Sequence, residues 1–120
     1  YRSEKKMKEG RSKLLSLLLD FEEINISDKS LIWNTEVIEA LELKNLLLQS
    51  IVSIESALNR KESRGAHSRI DYKIRDDKKW MKHSMISINN KGKASTTYRK
   101  VNLKTNSKEI KTIEPKARVY

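Results

Sequence analysis

The feature that most constrains the fold is a long apolar stripe in the first half of this 120-residue chain. Its residues recur at spacings of three and four, which places them on one face of an α-helix. Asn34 has a side chain suited to capping the start of that helix, and Gly65 is a natural residue to follow its end at about Arg64. The stripe comprises Ala40, Leu43, Leu47, Ile51, Ile54 and Leu58, and it is widened by Leu41, Leu48 and Val52.

A second amphipathic helix is predicted over residues 4–20, and a connector over residues 21–34. Because the connector carries several apolar residues, we expect it to pack on the core; these residues are Ile24, Ile26, Leu31, Ile32 and Trp33. Two helices do not cover so wide a stripe, so we expect a third helix before Tyr1. The chain begins with Tyr rather than Met and shows no signal peptide, which suggests a processed product or an excised fragment.

The second half of the chain changes from helical to extended patterns. Residues 66–79 lack periodicity and predict a loop, whereas residues 80–88 alternate as in a strand. Residues 89–92 carry a hairpin-turn signal, residues 95–103 predict the returning strand, and residues 111–114 predict a third short strand. The predicted class is α+β: a long helical hairpin, part of a three-helix bundle, followed by a small antiparallel sheet. We divide the chain into a helical segment, residues 1–65, and a basic loop and β segment, residues 66–120.

Composition excludes several kinds of site. The chain has no Cys, so it can form neither disulfides nor thiolate metal sites, and its two His residues are too few for an ordinary zinc site. No apolar run approaches the roughly 20 residues that span a bilayer. The net charge of +10 resides in residues 61–120, which carry 17 basic and 6 acidic residues. That asymmetry fits either an anion-binding or RNA-binding half or a solvated surface.

A dense motif begins at the predicted end of the long helix. Arginines and acids alternate there, together with two histidines and a tryptophan, a composition suited to bidentate Arg–carboxylate pairs. These pairs would either fix a loop or hold an anion or a neighbouring domain. We expect Trp80 to pack between the loop and the helices, and His83 to lie on a sheet face. The motif residues are Arg60, Glu62, Ser63, Arg64, Gly65, His67, Arg69, Asp71, Arg75, Asp76, Asp77, Trp80 and His83.

This motif resembles the C-terminal part of the flavoprotein subunit of succinate dehydrogenase (complex II) and the related fumarate reductases. The matching patterns are Arg-Lys-Glu-Ser-Arg-Gly-Ala-His from Arg60, Arg-Asp-Asp from Arg75 and Trp-x-Lys-His from Trp80. Residues 33–47 resemble the last long helix of the family, and residues 115–120 resemble its C-terminus. The sequence departs from the family pattern at Ile70, where an acid is usual, and at Lys73, where Pro is common.

The resemblance implies an intact subunit that carries covalent FAD and oxidises succinate to fumarate, passing electrons to an iron–sulfur subunit and quinone. It places the flavin-linked and catalytic residues upstream, so we assign no catalytic, cofactor-binding or metal residue here and expect the isolated chain to be inactive and to bind no FAD. The chain also lacks a Gly-x-Gly-x-x-Gly fingerprint.

The implied partners are the flavin-binding and capping domains and the iron–sulfur subunit. The implied location is peripheral, on the matrix side of the mitochondrial inner membrane or the cytoplasmic side of a bacterial one. We expect the isolated fragment to self-associate through its uncovered stripe. Two other classes remain open: a helical adaptor that grips a partner helix, and a basic RNA-binding module in which Tyr72, Trp80 and Tyr98 stack bases. Scattered lysines without a basic helix face disfavour the second.

Overall fold

The computed structural model describes residues 2–89 and 91–116, and two long helices precede a β-hairpin in it. This order confirms the predicted α+β class. Helix α1 spans Glu4–Asp20 and continues into a 3₁₀ turn at Phe21–Glu23. The other elements are α2 (Thr35–Asn59), the one-turn helix α3 (Asp77–Trp80), β1 (Lys82–Ile88) and β2 (Ala94–Lys100).

Both long helices begin at side-chain caps. The Ser3 hydroxyl accepts a hydrogen bond from the Lys6 amide, and the Asn34 side-chain oxygen accepts one from the Val37 amide at 3.0 Å. Each cap gives a partner to a backbone N–H group that the first helical turn leaves unpaired. The predicted start and end of α1 are therefore confirmed, as is the role of Asn34 at the start of α2.

Helix α2 ends five residues before the predicted end. Its last residue is Asn59, and Arg60 already has an extended backbone. The Arg69 guanidinium donates to the carbonyls of Ala57, Leu58 and Arg60, so a side chain takes up acceptors that a continuing helix would use. The prediction that Gly65 follows the helix end is wrong: it has φ +55° in a separate tight turn between Arg64 and His67.

The hairpin is shorter than predicted. Strands β1 and β2 pair antiparallel from Lys82 opposite Lys100 to Ile88 opposite Ala94. Asn89 organises the turn because its side chain accepts from the amides of Lys91 and Lys93, whereas Asn90 lies outside the described residues. The expected third strand at residues 111–114 is wrong, because those residues form irregular structure. Trp80 ends α3 rather than starting β1.

The core lies between the two long helices and the tip of the hairpin. Leu18, Leu47 and Ile51 form its buried centre. Ile88 of β1 packs on this cluster, and so do partly buried residues of both helices and of the 3₁₀ turn: Leu14, Leu15, Phe21 and Leu48. Gly10 brings α1 close to α2, since a Cβ placed there would lie 3.1 Å from Ile54 Cδ1.

Much apolar surface stays exposed. The predicted packing of the connector is wrong at its C-terminal end, because Leu31 is 100% exposed, Ile32 75% and Trp33 92%, whereas Ile26 earlier in the connector is half-buried. Several leucines of the helical hairpin are exposed as well, among them Leu19, Leu41 and Leu46. The Cα radius of gyration is 19.5 Å, against roughly 14 Å for a compact domain of this length. The described residues thus cover only part of the apolar stripe.

Substituting Gly92 should destabilise the fold. Its φ is +72°, and an added Cβ would lie 2.8 Å from Leu15 Cδ2 and 3.1 Å from Leu18 Cδ2. We expect Gly92→Ala to lower the free energy of unfolding by about 2 kcal/mol, through backbone strain and overpacking together. Gly65→Ala is the matched control, since Gly65 has φ +55° but its added Cβ would meet no atom within 4 Å. Urea unfolding of the two variants should separate strain from crowding; equal losses would contradict the packing argument.

Candidate functional site

The motif residues form one compact network around a tight turn at the end of α2. The backbones of Arg64 and His67 exchange two hydrogen bonds, of 2.8 and 3.0 Å, across Gly65 and Ala66. Ser63 ties the turn to the chain that follows. Its hydroxyl donates to the Tyr72 carbonyl at 2.7 Å and accepts from the Arg69 amide at 2.9 Å. These local bonds bring side chains separated by up to 20 residues into contact.

Glu62 is the buried centre of the network, with an exposed fraction of 0%. One carboxylate oxygen accepts from Arg60 Nη1 at 2.6 Å and from Arg64 Nε at 2.8 Å. The other accepts from Arg64 Nη2 at 3.0 Å and from the Asp76 amide at 2.9 Å. Burial opposes ionisation, but the bonds from Arg64, the Asp76 amide and Arg60 outweigh it and lower the pKa of Glu62. Because both oxygens are fully engaged, this carboxylate is placed to hold structure rather than to transfer a proton.

Arg69 is the second buried charge, 1% exposed. Its Nε and Nη2 atoms form a bidentate pair with the Asp71 carboxylate, at 2.9 and 2.6 Å. The Arg69 hydrogen bonds hold the pKa of Asp71 well below its usual range. Since Nη1 donates to the last carbonyls of α2, one guanidinium both ends the helix and fixes the loop. The Arg69 Cζ atom also lies over the Tyr72 ring, 4.7 Å from its centroid.

The start of α1 closes this network. Arg2 Nη1 lies 2.8 Å from His67 Nδ1, and the Arg2 carbonyl accepts from the Ile70 amide at 3.0 Å. The Glu4 amide donates to Asp71 at 2.9 Å. The other ring nitrogen of His67, Nε2, lies 3.0 Å from the Arg60 carbonyl. An arginine can only donate and a carbonyl can only accept, so His67 is neutral with its proton on Nε2.

The two neighbouring acidic residues, Asp76 and Asp77, have different hydrogen-bond partners and different structural roles. The Asp76 carboxylate caps α3 by accepting from the Lys79 amide at 3.1 Å. Asp77 accepts a bidentate pair from Arg75, at 2.7 and 2.8 Å, and a further bond from Arg64 at 2.6 Å. These bonds from Arg75 and Arg64 lower the pKa of Asp77 to about 2. Asp77 therefore connects the outer face of the network to Glu62 through Arg64.

Trp80 links the network to the hairpin. Arg60 lies over its indole ring, 5.4 Å from the centroid, and the Tyr98 ring packs edge-on at 6.2 Å. Arg60 also donates to the Trp80 and Lys82 carbonyls, so it bridges the end of α2 and the start of β1. His83 lies on the exposed side of β1 and lines an open cavity together with Arg64 and His67.

The structure thus joins the motif residues from Arg60 to Trp80 by direct contacts, whereas His83 only lines a cavity beside them. The predicted motif does not include Arg2, which contacts His67 from 65 positions away. Tyr98 and Lys82 were not assigned to this network either: the Tyr98 hydroxyl accepts from the Asn59 side chain at 2.8 Å, and the Lys82 ammonium lies over the Tyr98 ring. No rule of residue spacing predicts contacts between residues so far apart in the sequence.

His67 should make stability depend on pH. Its burial and the nearby positive charges of Arg2, Arg69 and Arg60 lower its pKa below 6.5, with the Arg60 carbonyl opposing them. As the pH falls below about 6.5, the His67 imidazole therefore binds a proton more readily in the unfolded chain than in the folded chain. The free energy of unfolding consequently decreases as the pH drops. We expect the melting temperature to decline from about pH 7.5 to 5.5, and His67→Gln to flatten that decline. Parallel melting profiles for the two chains would contradict this prediction.

The described residues show neither the element order of a dinucleotide-binding unit nor a cluster of metal-ligating side chains. A dinucleotide site needs a strand followed by a glycine-rich turn and a helix, but within residues 2–89 and 91–116 both long helices precede the strands. Gly10 and Gly92 are used in packing against Ile54 and Leu15. No cluster of three metal-ligating side chains occurs among the described residues. Nor does any helix in this part of the chain have the length and apolar character needed to cross a bilayer.

Comparison with known proteins agrees with the resemblance drawn from the motif. The family model described as "Fumarate reductase flavoprotein C-term" matches residues 1–120. The succinate dehydrogenase flavoprotein subunit of Rickettsia bellii is 45% identical over the whole chain, which covers 20% of that protein. The mitochondrial succinate dehydrogenase [ubiquinone] flavoprotein subunit of Oryza sativa is 42% identical over the whole chain, which covers 19% of it.

A solved structure shows the same fold. The FrdA chain of E. coli quinol fumarate reductase superposes with a TM-score of 0.84 at 33% identity, over 89% of this chain and 19% of that one. The chain therefore spans about a fifth of the length of the relatives it matches. On the whole-chain match and this superposition, the chain belongs to the fumarate reductase flavoprotein C-terminal family, which succinate dehydrogenase flavoprotein subunits share.

Proposed function

We propose that this chain is the C-terminal structural segment of a succinate dehydrogenase flavoprotein subunit. The complete subunit would use FAD to oxidise succinate to fumarate and would pass electrons to an iron–sulfur subunit and then to quinone. The observation that carries the structural role is the engagement of the motif. Glu62 and Arg69 are buried, and their polar atoms form hydrogen bonds with partners within the segment. These two residues therefore stabilise the structure rather than take part in catalysis.

The motif network gives this segment a fixed outer form. It ties the start of α1, the end of α2 and the start of β1 to one turn. We propose that this rigid end, together with the exposed helical face, packs on the flavin-binding and capping domains of the same subunit. The division into residues 1–65 and 66–120 then describes two parts of one packing unit, since Ile88 of the hairpin contributes to the helical core.

Partners and location follow from the same proposal. The assembled subunit would bind an iron–sulfur subunit and lie peripherally on a membrane. The location would be the matrix side of the mitochondrial inner membrane or the cytoplasmic side of a bacterial one. An adaptor or an RNA-binding module would not explain why the whole chain matches a flavoprotein family.

Complementation tests the proposed function. A flavoprotein subunit truncated before the position that matches Tyr1 would be mixed with this chain, and succinate-dependent dye reduction would be measured. We expect activity to be restored by the native chain and to be lost with an Arg69→Met chain, in which the network is broken. If the two folded pieces neither bind nor regain activity, the structural assignment is wrong and a free-standing adaptor becomes the better explanation.

The isolated chain should self-associate through its uncovered leucines. Leu17 on α1 and Leu43 on α2 are both exposed and line one apolar hollow together with Ile24, and contiguous apolar surface of this kind is uncommon on stable monomers. We expect light scattering at high micromolar concentration to show a mass above 14.0 kDa. A double variant, Leu17→Lys with Leu43→Lys, should shift the mass toward the monomer. A strictly monomeric native chain would contradict the proposal that this face is normally covered.

A further inference from the structure

The most exposed apolar group in the described residues is the tip of the connector between the two long helices. This apolar tip consists of Leu31, Ile32 and Trp33. A fully exposed tryptophan leaves roughly 200 Å² of mostly apolar surface in water. Trp33 also has φ +56°, and for a bulky side chain that left-handed conformation is strained. The tip thus combines exposure and strain, neither of which is compensated within the described residues.

Hydrogen bonds from residues that flank the tip fix the loop that carries it. The amides of Ser27 and Asp28 donate to the Glu36 carboxylate at 2.8 and 2.7 Å. The Ser30 amide donates to the Asp28 carboxylate at 2.8 Å, and the Asn34 side chain donates to the carbonyls of Asp28 and Ser30 at 2.9 and 3.0 Å. None of these bonds uses a side chain of the tip. The loop therefore presents the three apolar side chains in a preset position, which lowers the entropic cost of docking them.

The size of the tip indicates what kind of surface it docks on. A stable interface between separate molecules buries about 800 Å² on each partner, and three side chains fall well short of that. A contact within one polypeptide needs less area, because the chain connection already supplies a high effective concentration. This chain covers 20% of the length of the Rickettsia bellii flavoprotein subunit. A subunit of that length has several hundred further residues on which the tip could dock.

We propose that the tip of Leu31, Ile32 and Trp33 inserts into an apolar pocket on the remainder of the same flavoprotein polypeptide. This inference rests on the proposed function, because it takes the chain to be a segment of that subunit. The preset loop supplies the position, and burial of Trp33 supplies the free energy that offsets its backbone strain.

Site-specific photo-crosslinking in the assembled complex tests this proposal. A benzophenone amino acid would replace Leu31 in the full-length subunit, and crosslinked peptides would be identified by mass spectrometry. The control position is Ile113, which is also exposed but lies far along the chain from the tip. We expect crosslinks from position 31 to peptides of the same polypeptide upstream of this segment. Crosslinks to another subunit or to a second copy, or none above the control, would overturn the proposal.

Proteolysis provides a second measurement on the same full-length protein. Lys29 lies two positions before the tip, so we expect a docked tip to shield the connector from trypsin at that residue. We expect Trp33→Asp to raise the rate of that cut about tenfold or more, as for a buried aromatic at the centre of an interface, and Trp33→Phe to leave it nearly unchanged. Equal rates in all three proteins, with succinate oxidation intact, would reject the docked tip while leaving the proposed function standing. Failure of complementation would reject both.

Discussion

Replacing Glu62 by Gln should lower the free energy of unfolding by about 3–5 kcal/mol, which is the range expected when one member of a buried ion pair is neutralised. The substitution keeps the shape of the side chain and changes only its charge and donors. Both carboxylate oxygens accept from two donors each, from Arg60, Arg64 and the Asp76 amide. A glutamine would point its own N–H groups at two of those donors. The guanidinium of Arg60 would then lose its buried counter-ion.

The measurement is the urea midpoint of the 120-residue chain at neutral pH, followed by circular dichroism. Asp77→Asn is the matched control, since Asp77 also accepts from two arginines, Arg75 and Arg64, but lies at the surface. Exposed ion pairs contribute little, so we expect a loss several-fold smaller than for Glu62→Gln. Equal losses would mean that the central position of Glu62 does not matter.

The Glu62 network also predicts how the chain responds to acid. The pKa of Glu62 is lowered by its arginine partners, and that of Asp77 is lowered to about 2. A carboxylate with a depressed folded pKa contributes stability that is present above its unfolded pKa and is lost as pH falls through the folded value. The network should therefore weaken between about pH 4.5 and 2.

The elements that local chemistry determines were predictable from the sequence. Apolar spacing placed both long helices, and the Asn34 side chain identified the start of α2 because its capping bond to Val37 spans only three residues. The turn at Asn89 was predictable for the same reason: its side chain bonds to amides two and four positions away. In each case the decisive contact is close in sequence, so a single stretch of the chain contains the whole signal.

Contacts between distant residues set the features that the sequence did not reveal. Helix propensity continues past Asn59, but Arg69, ten positions beyond, takes the last carbonyls and ends the helix. The composition of the motif indicated arginine–carboxylate pairs without indicating which acid pairs with which arginine. Hydrophobicity predicted that Trp33 packs, but hydrophobicity does not specify the partner, and in the described residues Trp33 faces solvent.

Arg69→Lys should cost about 3 kcal/mol of stability although it keeps the charge. The guanidinium of Arg69 makes a bidentate pair with Asp71 and at the same time donates to three carbonyls at the end of α2. A lysine has three donors on a single nitrogen, and that atom cannot occupy both places. Either the Asp71 pair or the helix end would lose its partners in a buried position, and an unpaired buried polar group costs about 1–3 kcal/mol.

Two readouts separate a lost helix end from a lost ion pair. Amide hydrogen exchange of Leu58 to Glu62 should accelerate in Arg69→Lys, because this region loses the side chain that holds its carbonyls. Asp71→Asn is the matched control: it removes only the carboxylate charge and leaves the bonds of Arg69 to the helix end available, so exchange should rise at the loop and less at the helix. If both variants give the same exchange pattern, the helix-ending role assigned to Arg69 is wrong. A fast-exchanging helix end in Arg69→Lys alone would show that this one guanidinium sets the length of α2, and thereby the position from which the hairpin departs.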